Sequence, residues 1–179
     1  MSEIAKAQRE INVLIRSLQQ MKTDNSFWDD FLERSGHIIV SEAKKRVPVD
    51  RGSLRRAISH RVTKQPLGLE VGVLGGAVKG VPYGALQEFG GRITGNPWLT
   101  IPLEEKYRDR SPRQFDLTFV SLGGTKFMLD RATGEMAYVL KKSVTIKAQP
   151  YLQPAIEVYR RRNFDKLLNK MLKEFFGGL

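Results

Sequence analysis

Apolar residues recur along this chain at two spacings, and the change from one to the other marks out its elements. Ile4, Ala7, Ile11, Leu14, Leu18 and Met21 follow one another at alternating steps of three and four, the narrow stripe of a coiled-coil seam. A helix with so thin an apolar edge packs on one partner, its own domain or a neighbour's. Asp24-Asn25-Ser26 breaks the run, and Ser26 is the expected N-cap of a second helix, with Asp29 and Asp30 favouring its positive end. That helix is predicted over 27–46, with Trp28, Phe31, Leu32, Ile38, Ile39, Ala43 and Val47 on its core side. Lys44, Lys45 and Arg46 fall at its C-terminal end, where the dipole favours cations, and Pro48 stops it. Asp50 is expected to cap a short helix over 51–58, in which Leu54 and Ile58 lie one turn apart.

The period then shortens to two. Leu69, Val71 and Val73 alternate with Glu70 and Gly72, as in a half-buried strand. With a strand over 59–64 and a turn at 65–68, this predicts a hairpin ending at 74. Gly75, Gly76 and Gly80 mark a flexible connection, and a helical turn over 83–89 is closed by Gly90-Gly91. Residues 92–148 read as a β-rich block. Strands are expected at 98–103, 117–122, 126–130 and 135–140, with a last one around Val144 and Ile146 and a polar helix or loop over 104–113. The stretch 126–140 has the form of a hairpin with a four-residue loop, Arg131-Ala132-Thr133-Gly134. Hairpins alone are marginal in water, so the block is expected to join the 59–74 sheet or pack on it, the alternative being a separate flap held only by linkers. Pro154 is expected to open a final helix reaching Phe176, with Ile156, Tyr159, Phe164, Leu167, Leu168, Met171 and Phe175 as a broad apolar face and Gly177-Gly178 as its end. The expected fold class is α+β: a small, mainly antiparallel sheet braced by N-terminal and C-terminal helices. Residues 1–24 supply the heptad-like helix and 25–179 one domain, with 92–148 inserted in it.

Composition narrows the class. At 179 residues the chain is long enough to bury a core without staples. It has no cysteine, which rules out disulfides and thiolate metal sites. No apolar run approaches the ~18 residues of a spanning helix, and the first 20 residues carry acids and no continuous apolar stretch, unlike a signal peptide. The net charge of +11 is unevenly placed: residues 41–66 hold 8 basic against 2 acidic groups and residues 141–179 hold 9 against 3, while 67–140 balances at 8 each. Two such blocks suit either a track for phosphates or solvated helix faces.

No catalytic constellation emerges. The two histidines, His37 and His60, show no metal-ligand spacing to a second histidine or a carboxylate pair. There is no G-x-S-x-G elbow. The glycines of GVLGGAVKG (72–80) have the wrong spacing for a phosphate loop, and Lys79 is followed by Gly80 rather than Ser or Thr. Pro48-Val49-Asp50 with Glu70 in a strand has the outline of a nuclease acid pair, but Gly72 stands where that site needs its lysine. Asp50 is explained as a helix cap.

Three strings remain: VPVDRGSLRRAI (47–58), PYGALQEFGG (82–91) and QPYLQPAIE (149–157). In this order they resemble the tail-completion or head–tail joining proteins of long-tailed bacteriophages. That family shows a Val-Pro-x-Asp-x-Gly-x-Leu-Arg stretch, a Tyr-x-x-x-x-Glu-Phe-Gly turn, and a Pro-aromatic-Leu-x-Pro-Ala entry into the last helix. The resemblance covers 27–91 and 149–176; the 92–148 block is larger than the family's usual connection, and the heptad helix precedes its core.

The resemblance implies a non-enzymatic structural subunit, without cofactor or metal, acting in a ring at the junction of tail and head. Its partners would be copies of itself, sixfold to match a tail tube, other tail and neck proteins, and the end of the phage DNA, with no membrane. It would reside in the virion after assembly in the host cytoplasm. In such a ring Tyr83 and Phe89 present flat contact area, and Glu88 is expected to pair with Arg55 or Arg56, within the chain or across the ring. Gly90-Gly91 turns the chain sharply away. The alternative for Tyr83 and Phe89 is ordinary core. Lys44, Lys45, Arg46, Arg160, Arg161 and Arg162 form the candidate DNA-facing set. The alternative function is sequence-independent nucleic-acid binding through the two basic blocks.

Overall fold

The computed structural model describes residues 11–13, 15–19, 21, 25–74 and 83–177. The α+β expectation holds: helices are combined with two antiparallel sheets of two and four strands. The chain forms two compact units, Gly90–Ala148 being one and the remainder the other.

In the first unit, residues 11–13, 15–19 and 21 are helical, and α1 spans Ser26–Arg46. Of the predicted seam, Ile11 and Leu18 are exposed and Met21 packs beside Phe27, Phe31 and Met171. Ile4, Ala7 and Leu14 lie outside the described residues. Ser26 proves to be the first residue of α1 rather than its cap; Asn25 takes the cap position without a side-chain bond. Pro48 follows the end of α1 as expected. Gly52, in the left-handed region at φ 72°, precedes α2, Ser53–Ala57.

The hairpin consists of β1, Ile58–Lys64, and β2, Leu67–Val73, paired Ile58 to Val73 and His60 to Val71. One face carries the ion pair Arg61–Glu70, at 2.5 Å. The other lays Leu69, Val71 and Val73 on a core of Ile39, Ala43, Val47, Leu54, Ala57, Ile58, Tyr151, Ala155 and Tyr159. The helical turn α3, Gly84–Phe89, follows.

The predicted last helix is two helices, α4, Leu152–Arg162, and α5, Phe164–Phe176, separated at Asn163. Helix α4 runs antiparallel to α1. Phe164 meets Phe31 at a ring distance of 5.6 Å, the Tyr159 hydroxyl lies 2.5 Å from Ser35 Oγ, and Tyr151 shares the core with Ala43 and Val47. Helix α5 closes the second cluster with Met171, Leu167, Leu168, Leu172 and Phe175 over Phe27 and Phe31. There the aromatic phase differs by one residue from the prediction. Phe27 is buried against Phe175, and Trp28 is 37 % exposed.

The second unit is a four-stranded sheet in the order β3-β6-β5-β4. Its strands are β3, Gly91–Pro102; β4, Leu117–Leu122; β5, Thr125–Asp130; and β6, Met136–Ile146. They pair with one another, and none extends the β1–β2 hairpin. Strands β3 and β6 are longer than the period-two pattern indicated, and β3 carries a bulge between Thr94 and Leu99. The polar stretch 104–113 is loop with two short 3₁₀ turns, Glu105–Tyr107 and Pro112–Gln114. The unit's small core is Tyr107, Ala137 and Tyr138, with Phe115, Leu117 and Met128 against it. Buried Asp130 accepts the Tyr107 hydroxyl at 3.0 Å and the Ala132 N–H at 2.9 Å, which fixes the turn between β5 and β6.

Candidate subunit interface

Helix α3 is six residues long, too short to persist unless something outside it holds it. Gly84 supplies one anchor: a Cβ there would lie 3.1 Å from Val73 and 3.3 Å from Leu54, so the helix start sits directly on the hairpin and α2. Glu88 supplies the other. Its side chain is buried, and its carboxylate accepts the N–H groups of Tyr151 at 2.7 Å, Leu152 at 2.9 Å and Gln153 at 2.9 Å. Those are the unpaired donors at the start of α4, and the next residue, Pro154, has no N–H to offer. One buried carboxylate thus caps a helix 63 residues further along, favoured by the helix dipole as well as by its three bonds. Gln149 N–H donating to Gln87 O at 2.7 Å closes the same junction.

This replaces the expected pairing of Glu88 with Arg55 or Arg56. Both arginines are exposed on α2, and Arg56 donates to Arg51 O and Ser53 Oγ. Tyr83 and Phe89 bracket the pinned helix and face outward, 43 % and 80 % exposed. Neither belongs to the core, so the ordinary-core alternative does not describe them.

The six cations of the candidate DNA-facing set separate into two groups. Because α1 and α4 are antiparallel, Arg160–Arg162 follow directly on Tyr159, level with Ser35, whereas Arg46 lies eleven residues further along α1. That is roughly 16 Å at 1.5 Å per residue. At the α1 end, Glu42 binds Lys45 at 2.6 Å and Arg46 at 2.7 Å, and these bonds hold the Glu42 carboxyl below its ordinary range. Arg160, Arg161 and Arg162 are exposed.

The nuclease outline dissolves on inspection. The Arg61 guanidinium binds Glu70, and Gly72 is buried in the hairpin. The histidines are another matter. His60 projects from the core side of β1 and its Nε2 lies 3.0 Å from Glu33 Oε1. His37 Nε2 is 3.7 Å from the same oxygen, and the two imidazoles meet edge to face at 4.5 Å. The sequence reading missed this cluster. Its signal was the Glu33-x-x-x-His37 spacing, which puts two ligand-type side chains on one helix face.

Comparison with known families gives a match to part of the chain. Residues 12–90 fit the HK97-gp10-like family model, described as "Bacteriophage HK97-gp10, putative tail-component". The matched span holds two of the three strings that carry the resemblance, 47–58 and most of 82–91. No curated protein and no solved structure matches the chain. The matched residues make up less than half of the chain.

Proposed function

We propose, from the similarity of residues 12–90 to a family described as a phage tail component, that this protein is a non-enzymatic virion subunit. It completes the tail as a ring and joins the tail tube to the head connector. The observation that carries the reading is the pinned α3 turn. Tyr83 and Phe89 are held outward on a short helix whose other contacts are buried, and Glu88 fixes that helix to the start of α4. Aromatic side chains displayed on a fixed support lose little entropy on docking, which is what a repeated ring contact requires. Arg55 and Arg56 on the neighbouring α2 supply a cationic rim that suits an acidic patch of the adjoining subunit. A closed ring has cyclic symmetry, and sixfold symmetry matches a tail tube. The direct partners are then further copies of the chain and the tail and neck proteins above and below it.

Reconstruction of particles from the parent phage tests this. The expected result is density for the α1–hairpin–α4 unit repeated around the tail axis at the head junction. Isolated copies away from that axis would end the ring assignment.

A further inference from the structure

We infer that Glu33, His37 and His60 form a binding site for a divalent transition metal ion of the zinc class. The site is independent of the ring contact. The chain has two histidines in 179 residues, and the fold brings both to one carboxylate. One ligand atom from each residue falls within 4.8 Å of the other two. Zinc bonds of 2.0–2.2 Å in a tetrahedron place neighbouring ligand atoms about 3.4 Å apart. The Glu33 Oε1 separations, 3.0 Å to His60 and 3.7 Å to His37, bracket that value. Two imidazole nitrogens and one carboxylate oxygen are the ligand mixture that favours zinc, cobalt or nickel over magnesium or calcium.

The backbone supports the arrangement. His60 shares with Ile58 and Val62 the side of β1 facing α1, and its side chain is only 10 % exposed. It reaches Glu33 because residue 36 is glycine: a Cβ there would lie 2.3 Å from His60 Cδ2. A mid-helix glycine costs about 1 kcal/mol relative to alanine, and here it admits the imidazole. Glu33 and His37, one turn apart on α1, are 51 % and 72 % exposed, so the fourth position opens to water. The result is a three-ligand site with one exchangeable position. A bound ion ties α1 to β1. To bind through Nε2, His60 carries its proton on Nδ1, and the carboxylate turns from hydrogen-bond acceptor to ligand.

The test uses the full-length chain without a histidine tag, stripped by chelator and titrated with zinc chloride by calorimetry, then with cobalt chloride by visible absorption. The expected result is one ion per chain, the intense visible bands of four-coordinate cobalt, and a melting temperature raised by about 5 °C at saturating zinc. His37→Ala and Glu33→Gln alter exposed side chains and should keep the native circular dichroism while weakening zinc binding at least about tenfold. His60→Gln should do the same, and the two helix variants decide the matter if it does not fold. Absence of zinc binding, or binding that survives both helix substitutions, would overturn the proposal and leave a polar histidine–glutamate contact.

Discussion

A single carboxylate decides whether the α3 turn is a rigid display or a loose loop. Glu88 is buried and accepts three backbone N–H groups. Replacing it by alanine strands all three beneath the surface, and hydrogen bonds to charged groups contribute about 1.5–3 kcal/mol each before overlap. Glu88→Ala is therefore expected to cost about 3 kcal/mol in urea unfolding. Glu88→Gln, which keeps an acceptor oxygen but loses the charge, should cost about half as much. A Glu88→Ala variant as stable as the parent would show that α4 caps itself some other way. Charge matching between letters could not find this partner, because the groups that Glu88 binds are main-chain donors that no side chain announces. Three tyrosines give a second measurement at this scale. Burial raises the phenol pKa of Tyr138, Tyr151 and Tyr159 above its ordinary value, which is about 10. A raised pKa means the folded state holds the proton more tightly. The contribution is complete below the unfolded value and is lost as pH climbs from about 10 through the folded values. Stability should thus fall steeply above pH 10. Tyr159→Phe removes one of the ionising groups and should flatten that decline, while losing about 1 kcal/mol at pH 7 for its bond to Ser35. An unchanged alkaline slope in the variant would contradict it.

Among the elements, the inserted β block is the one whose independence can be measured. The first unit closes on itself at the point where the block leaves and returns. Gln149 N–H donates to Gln87 O, and the two glutamine side chains bond at 3.2 Å. The Glu88 cap lies wholly on the first-unit side. Replacing 92–146 by a short glycine-serine linker should then leave α1, the hairpin, α3, α4 and α5 folded, with an amide NMR spectrum that overlays the parent's for those residues. Collapse of that spectrum would show that the first unit needs the block to fold. Most elements were legible because period and punctuation agree. Helix α1 stops before Pro48, β2 alternates cleanly, and the Arg131–Gly134 loop has turn residues. The misreadings share a cause, which is that periodicity fixes a face only to within one residue. Phe27 and Trp28 are adjacent aromatics of similar bulk, and only the arrival of Phe175 and Met171 selects the first. Likewise Tyr159 and Phe164 suit one long helix on paper. The chain instead breaks at Asn163, and the two rings meet edge to face while Phe164 reaches Phe31. In β6, Lys141 and Lys142 interrupt the apolar alternation, and pairing with β3 resumes on either side of the bulge, Leu99 opposite Lys141 and Thr94 opposite Ser143.

At the scale of the whole molecule, charge and exposed aromatics make separate claims, and each can be tested alone. The cationic triplets lie at opposite ends of the α1–α4 pair, and Glu42 already occupies two of the three at the α1 end. We propose that any contact with the DNA end is made by Arg160, Arg161 and Arg162, so that neutralising them weakens DNA binding, and flattens its dependence on salt, more than neutralising Lys44, Lys45 and Arg46. Equal effects in a salt titration, or a preference for one DNA sequence, would count against any lumen-facing role for the arginines. The proposed ring contact rests on different residues. Phe89 is 80 % exposed and Tyr83 43 %, so truncating them removes little that the folded monomer uses. Tyr83→Ala with Phe89→Ala should leave the melting temperature within a few degrees of the parent, since surface changes of this kind stay within about 0.5–1 kcal/mol. Buried interface aromatics are worth about 2 kcal/mol or more apiece. A ring repeats the loss at every joint, so even a modest defect per contact is multiplied around the circle. Phage carrying the double substitution should therefore yield heads and tails that remain unjoined in electron micrographs, with infectivity reduced by orders of magnitude despite normal levels of folded protein. Glu88→Ala should give the same particle phenotype accompanied by a lowered melting temperature. That difference separates loss of the contact surface from loss of its support. Fully infectious particles from the double substitution would move the subunit contact elsewhere on the molecule and leave Phe89 as an exposed ring without a task.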